Sequence, residues 1–291
     1  MIDNNYKMIF IDIDGTLVND EKIISEENIS VITKLKEIGI YTVLASGKPY
    51  KSIEMFSEKC NAVPYLIGSN GAIVKDFKKD IDIFTKQISY SIANEIHKII
   101  KTNNIYTMVT VDGNLIVEEE KYGMITKNRP EICEVPSIFG YLKSTEKSIL
   151  KFTIIDGDKE KIANVRESLF KIPNISITPV DIIGIPQRFR KEGEEYSDPY
   201  CIDVMAKGIN KADAITTLLK YLNISRTQTI AIGDGMNDIE MFESCYYKIA
   251  MGNAVQEIKD LANIITLSNN DSGVSVALNK LFTKELSKFK N

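Results

Sequence analysis

The stretch Met8-Ile9-Phe10-Ile11-Asp12-Ile13-Asp14-Gly15-Thr16 starts as four consecutive apolar residues and ends in carboxylates, a glycine and a hydroxyl. A short continuous apolar run bounded by polar residues and Gly is the pattern of a central strand in a parallel sheet covered on both faces. Side chains at i and i+2 of a strand share a face, so Asp12 and Asp14 project together at its carboxyl end, where doubly wound sheets bind ligands. Two carboxylates held close repel each other unless a cation joins them, and Mg²⁺, which takes oxygen ligands and keeps some of its water, suits such a pair when the substrate brings phosphate oxygens. A calcium loop also contains Asp-x-Asp-Gly. Here no third Asp or Asn ligand precedes the glycine, and a strand stands where that motif needs a helix. The plain alternative is that Asp12 and Asp14 belong to an ordinary turn.

Working outward, Ser25 caps an expected helix with Glu26 and Glu27 in its first turn, Val31, Ile32, Leu35 and Ile38 on its apolar face and Gly39 just past its end. Tyr41 to Ala45 follows as a second buried strand, completing a right-handed βαβ unit. The same grammar returns late in the chain: a helix over Ala212 to Leu222, a strand over Thr229 to Ile232, a helix over Asp238 to Glu243 and a strand over Tyr247 to Met251. Between them the pattern changes. A helix over 90–102 precedes a β-hairpin, Tyr106–Val111 and Asn114–Val117, turned by Asp112-Gly113. A loop-rich stretch to Ser148, a strand over Lys151 to Ile155, a helix over Lys159 to Phe170 and a strand over Ile175 to Thr178 complete this middle section. The expectation is an α/β chain in which a doubly wound, mostly parallel core, residues 1–85 and 206–291, carries an inserted α+β cap domain, residues 86–205.

Two further segments fall at the carboxyl edge of the core sheet. Gly233-Asp234-Gly235-Met236-Asn237-Asp238 follows a strand and opens a helix. It resembles a dinucleotide fingerprint only on the surface, since Asp238 stands where the third Gly or Ala belongs and Asp234 would meet pyrophosphate with negative charge. Acidic residues there suit a metal better; the bland alternative is a capped helix start. Ser46-Gly47 offers a hydroxyl and unhindered N–H groups to phosphoryl oxygens, and Lys211, just before the expected helix at Ala212, can bring an ammonium to the same edge.

Composition narrows the chemistry. The 291 residues are 44% hydrophobic and 26% charged, with 36 basic and 40 acidic residues and a net charge of −4. These values describe a globular protein and offer no basic excess for nucleic acid. There is neither a signal-peptide pattern nor a run of 18 apolar residues, so no membrane is expected and the cytoplasm is the expected location. Cys60, Cys133, Cys201 and Cys245 form no C-x-x-C pair and none precedes an arginine by six positions, which excludes zinc clusters and thiolate phosphatases of the C-x5-R type. The single histidine, His97, lies in an Ile-rich helical stretch and reads as structural, so histidine triads, phosphohistidine chemistry and histidine metal clusters are excluded. Three Asn-Ile-Ser triplets, at Asn28, Asn174 and Asn223, match the glycosylation pattern by chance in an Asn- and Ile-rich chain.

Taken together, Asp12-Ile13-Asp14-Gly15-Thr16-Leu17, Ala45-Ser46-Gly47-Lys48-Pro49, Ser69-Asn70-Gly71-Ala72, Lys207-Gly208-Ile209-Asn210-Lys211 and Gly233-Asp234-Gly235-Met236-Asn237-Asp238 resemble, in order and content, the haloacid dehalogenase superfamily, and within it the Cof-type (class IIB) phosphatases with a large C2 cap. The resemblance spans nearly the whole chain. It implies that Asp12 is a nucleophile forming an aspartyl phosphate, and that Asp14 protonates the leaving oxygen and later takes a proton from water. It further implies that Ser46 and Lys211 hold the transferring phosphoryl group, with Ile13, Gly47 and Asn237 beside it. Mg²⁺ would be ligated by Asp12, a main-chain carbonyl of Ile13 or Asp14, and Asp234, with Asp238 in or next to its ligand shell. Lys48 departs from the arginine usual in the family, exchanging a planar fork for a point charge. The charged stretch Ile185 to Tyr200, with Arg188, Arg190, Lys191, Glu192, Glu194 and Glu195, matches no substrate signature and reads as a solvated loop, the alternative being a lining of the active-site entrance. The expected function is Mg²⁺-dependent hydrolysis of small soluble phosphomonoesters, sugar phosphates or phosphorylated cofactors, by a monomer or weak homo-oligomer whose cap closes over the site. A phosphomutase of the same superfamily and a non-catalytic metabolite sensor are the alternatives.

Overall fold

A computed structural model of the chain describes residues 5–119, 131–180 and 200–289. It divides into two compact units, Met1–Phe84 with Asn210–Asn291, and Thr85–Ile209. The first unit begins with β1 (Met8–Ile11), α1 (Glu26–Glu37), β2 (Tyr41–Ala45), α2 (Tyr50–Lys59), β3 (Tyr65–Gly68), β4 (Ile73–Asp76) and β5 (Ile81–Thr85). The second unit contains α3 (Tyr90–Thr102), β6 (Tyr106–Val111), β7 (Asn114–Val117), β8 (Ile132–Glu134), α4 (Ile138–Ser144), β9 (Ile149–Asp156), α5 (Lys159–Leu169), β10 (Ile175–Val180) and β11 (Tyr200–Ala206). The chain then returns to the first unit with α6 (Lys211–Leu222), β12 (Thr229–Gly233), α7 (Ile239–Ser244), β13 (Tyr247–Ala250), α8 (Gln256–Leu261), β14 (Ile264–Ile265), α9 (Gly273–Leu281) and α10 (Thr283–Leu286).

The sheet of the first unit runs β14-β13-β12-β1-β2-β3-β4-β5. Strand β1 lies between β12 and β2, parallel to both, with Met8–Ile11 in register against Thr229–Ile232 and Tyr41–Leu44. Every residue of β1 is buried, as its uninterrupted apolar run requires. From β1 the order proceeds through β2 to β3 on one side and from β12 to β13 and β14 on the other. Right-handed crossovers leaving in opposite directions put their helices on opposite faces, and the reversal beside β1 is the crevice where such sheets take ligands. Ser25 caps α1 by accepting the N–H of Asn28, and Val31, Ile32 and Leu35 are its buried face. Asn28 is itself buried, its side chain tying the main chain of Leu17 to that of Ser275, so it is no glycosylation site.

The second unit has its own six-stranded sheet, β10-β11-β9-β6-β7-β8, antiparallel except for β7 with β8. One face packs Val109, Phe152, Ile154 and Val204 against Ile96 and Ile100 of α3, Leu142 of α4 and Val165 and Leu169 of α5. The hairpin turns through Asp112 and Gly113, both at positive φ, as the Asp-Gly signal predicts. His97 is buried in α3, its ring stacked on Phe139 at 5.2 Å. The stretch read as loop up to Ser148 contains β8 and α4. Strand β8 has three residues and α4 seven, and α4 contains Gly140, so neither has the length to imprint a period on the sequence. The charged segment through Arg188 and Glu195 lies outside the described residues. Among the described residues no helix is long and apolar enough to cross a membrane.

All four cysteines are free, and burial pushes the Cys60 thiol up to about 11 and those of Cys201 and Cys245 up to about 12, whereas Cys133 is only half-buried. Native protein treated with a thiol-reactive disulfide at pH 8 is therefore expected to react promptly at Cys133 alone, with the other three appearing only on unfolding in denaturant. Rapid labelling of Cys60, Cys201 or Cys245 in the folded state, read by peptide mapping, contradicts this packing.

Candidate active site

The pairing of β1 with β12 continues one step past the strand, where the N–H of Asp12 donates to the carbonyl of Ile232 at 3.1 Å. The chain then turns sharply, the N–H groups of Leu17 and Val18 both donating to the carbonyl of Ile13, at 3.0 and 3.1 Å. Gly15 sits in this turn at φ +72°, and a Cβ there would lie 2.2 Å from a carboxylate oxygen of Asp234. Both the backbone conformation and the close approach require glycine. Thr16 follows, donating its hydroxyl proton to the other Asp234 oxygen at 2.8 Å. The sequence Asp-Gly-Thr thus aims the carboxylate of a residue more than two hundred positions away.

Lys211 is the first residue of α6. Asn210 is the cap, its side-chain oxygen accepting the N–H of Asp213 at 2.7 Å, so the helix begins one residue earlier than its apolar pattern indicates. The Lys211 side chain is 1% exposed, and its ammonium donates to Asp12 Oδ1 at 2.7 Å and Asp238 Oδ1 at 2.6 Å. Its position is set by the run Ser69-Asn70-Gly71, three residues at positive φ. A Cβ on Gly71 would come within 2.2 Å of the Asn210 carbonyl. Asp238 in turn accepts the N–H groups of Asp234 and Gly235 on its second oxygen, at 3.0 and 3.2 Å. Gly233 leaves room for that carboxylate, since a Cβ there would lie 2.5 Å from it.

Asp12, Asp234 and Asp238 each offer an oxygen within 4.8 Å of the others. Three carboxylates against the one ammonium of Lys211 leave an excess of two negative charges in a largely buried space. The excess registers in acidity. Burial, then the charge of Asp238, raises Asp12 well above the usual carboxylate range despite Lys211, and burial together with Asp238 brings Asp234 up to about 6. For Lys211 burial alone would favour the neutral amine, but Asp12 and Asp238 outweigh it and hold the ammonium charged. Hard oxygen donors with a deficit of two positive charges match a hard divalent cation.

Asp14 faces a different environment, with Lys22 and Lys48 at 2.9 and 2.8 Å from its two oxygens. Burial works to raise its pKa, but Lys48 and Lys22 prevail and hold the group below the ordinary carboxylate range. Ser46 is buried at the end of β2, its carbonyl accepting the N–H of Asn70 at 3.2 Å, and Gly47 packs against the Asn70 side-chain oxygen. Asn237 is exposed on the turn before α7. Asp12, Lys211, Asp234 and Asp238 are thus one connected cluster, with Asp14 two residues away and Ser46 on the neighbouring strand. Lys22 and Thr16 are contributors that sequence reasoning gave no role. Thr16 lay in plain view within the motif; Lys22 had no signal, because only the folding back of its hairpin brings it to Asp14.

A family model described as haloacid dehalogenase-like hydrolase matches residues 9–278. The chain is 28% identical over 276 residues to the 5-amino-6-(5-phospho-D-ribitylamino)uracil phosphatase YcsE of Bacillus subtilis, covering 95% of this chain and 96% of that one. It is 26% identical over 289 residues to the phosphatase of the same name, YitU, of that organism, covering 95% and 97%. Its structure is similar to that of a haloacid dehalogenase-like hydrolase from Bacteroides thetaiotaomicron, with a TM-score of 0.79, 26% identity and coverage of 95% and 100%.

The excess charge makes a prediction for stability. Folding raises the Asp234 carboxyl from 3.8 to about 6, so the folded state binds the extra proton and this contribution is present below pH 4 and lost as pH rises through 6. In chelator, Asp234→Asn is expected to be more stable than wild type at pH 7 by on the order of 2 kcal/mol, the difference fading by pH 4. Urea titrations at the two pH values measure it, and a destabilised variant at pH 7 would contradict the charge balance.

Proposed function

The chain belongs to the haloacid dehalogenase-like hydrolase family and is a phosphatase, and from this premise we propose that it hydrolyses small soluble phosphomonoesters, sugar phosphates or phosphorylated cofactors, through a phosphorylated Asp12. The observation that carries the proposal is the buried bridge from Lys211 to Asp12 and Asp238 with Asp234 in the same cluster. Lys211 fixes Asp12 in one orientation, leaving its second oxygen to attack phosphorus. As that bond forms, the bond to the leaving oxygen breaks and Asp14, which takes up a proton from solvent once a lysine has withdrawn from it, supplies the proton the leaving group needs. Asp14 then takes a proton from the water that attacks phosphorus, and Asp12 is released with inorganic phosphate. Ser46, Lys211 and main-chain N–H groups at Ile13 and Gly47 hold the non-bridging oxygens, with Asn237 at the rim. Splitting one difficult displacement into two easier ones is what a covalent intermediate contributes.

Mg²⁺ is the proposed cofactor, held by Asp12, the Asp14 carbonyl and Asp234, where it would neutralise charge on the phosphoryl oxygens and bring the nucleophile and substrate together. The N–H groups already donating to the Ile13 carbonyl favour that of Asp14 as the main-chain ligand. Asp238 has its oxygens engaged by Lys211 and by the N–H groups of Asp234 and Gly235, which supports a role in holding Lys211 and the Asp234 loop beside the metal. Free thiols accord with the cytoplasm as the proposed location.

Phosphate release from p-nitrophenyl phosphate and a panel of sugar and cofactor phosphates tests the reading. Release is expected with Mg²⁺, to be lost in EDTA, and to fall about 10³-fold or more in Asp12→Asn with the fold intact. Turnover that survives both EDTA and Asp12→Asn, or no release from any compound by folded Mg²⁺-loaded protein, overturns it.

A further inference from the structure

Two lysines from separate segments converge on Asp14. Lys48 follows β2, its ammonium 2.8 Å from Asp14 Oδ2, whereas Lys22 comes from the hairpin after β1, its ammonium 2.9 Å from Asp14 Oδ1. That hairpin is closed by the pairing of Val18 with Ile24, and Lys22 lies in its turn at φ +63°, a conformation that residues bearing a side chain rarely adopt. The turn is also anchored. The Asp20 carboxylate accepts from the side-chain amides of Asn269 and Asn270, its N–H donates to Asn270, and the Asn269 amide donates to the carbonyl of Val18. Exposed ion pairs add little to stability, so stability alone does not account for an anchored, left-handed lysine directed at a carboxylate that Lys48 already neutralises.

Charge separates the site into two halves. Around Asp12 the carboxylates outnumber the ammonium; Asp14 itself meets two ammonium groups, a local positive surplus, while the Asp20 carboxylate near Lys22 is bonded to the Asn269 and Asn270 amides. That surplus is open to solvent, with the Lys22, Lys48 and Asp14 side chains 48%, 25% and 32% exposed. We propose that Lys22 and Lys48 are a seat for a second anionic group of the substrate, a carboxylate or further phosphate carried on the leaving group, and that the enzyme selects phosphomonoesters bearing one. The inference rests on the reading of Asp14 as the proton donor, which puts its neighbours beside the leaving oxygen. Both Asp14 oxygens are engaged by lysine, and a lysine that turns away from Asp14 leaves one of them free to meet the leaving oxygen. An anion on the substrate gives that lysine a new partner.

Matched substrate pairs differing in one charge test this: 3-phosphoglycerate against glycerol 3-phosphate, and 6-phosphogluconate against glucose 6-phosphate. With Mg²⁺, wild type is expected to favour the member bearing the carboxylate by about tenfold or more in kcat/KM. Lys22→Met and Lys48→Met are expected to bring that ratio towards one, chiefly through KM of the carboxylate substrate, and Lys22→Arg to retain it, with thermal melts confirming the fold. No preference in wild type for either pair, or an equal loss on both members in the two methionine variants, overturns the seat and leaves lysines that only hold Asp14. Release of phosphate from p-nitrophenyl phosphate without any such preference removes this inference while keeping the phosphatase reading. Failure to release phosphate from any compound removes both.

Discussion

A lysine ammonium with almost no exposure, bonded to two carboxylates and accompanied by a third, is the arrangement on which the rest of this site depends. Charges taken out of water are costly, and they persist only where partners are close and well aligned. Lys211 can satisfy two of the three carboxylates, and the remaining excess is of the sign and size that a divalent cation would offset. Each part of the surrounding geometry serves that balance. Gly15, Gly71 and Gly233 are the points where a side chain would strike a carboxylate or the helix that carries Lys211. Thr16 and the N–H groups on Asp238 aim the carboxylates from behind.

The sheet makes this possible without a long search for partners. Parallel strands β1 and β12 end level with one another, in register from Met8 against Thr229 to Ile11 against Ile232. Residues immediately after the two strands are therefore neighbours by construction. The loops need only turn the side chains inward, and the left-handed run at Ser69, Asn70 and Gly71 sets the start of α6 against them. At Ser69 and Asn70 such backbone strain costs on the order of 1–3 kcal/mol each and is sustained by the buried sheet beneath it.

Much of this was legible from sequence because the information is local. Four apolar residues ending in alternating aspartates announce a buried strand with a functional end, and Gly-Asp-Gly after an apolar run announces another. The apolar pattern starts α6 one residue late because Lys211 is polar, whereas Asn210 and its bond to Asp213 decide the boundary. Strand β8 and helix α4 escaped notice since three and seven residues leave no period to detect. Lys22 was invisible for a stronger reason: its relation to Asp14 depends on a turn held by Asn269 and Asn270, some 250 residues along the chain. Similarly, the sequence offers Asp238 as a residue in or next to a metal's ligand shell, and only the structure reveals that its oxygens are already engaged.

The bond from Lys211 to Asp12 joins residues 199 positions apart, with an entire compact unit encoded between them. At a synthesis rate of about 5–20 residues per second, Asp12 leaves the ribosome roughly ten to forty seconds before the lysine that will neutralise it. During that interval the emerging first strand lacks β12, its neighbour on one side, and ends in unpaired carboxylates. The nascent chain therefore carries a strand whose apolar body invites aggregation and whose charged tip resists it. The intervening unit, by contrast, carries its own hydrophobic core within its own segment of chain. The same aspartates that later gather into a site would thus act earlier as gatekeepers during translation.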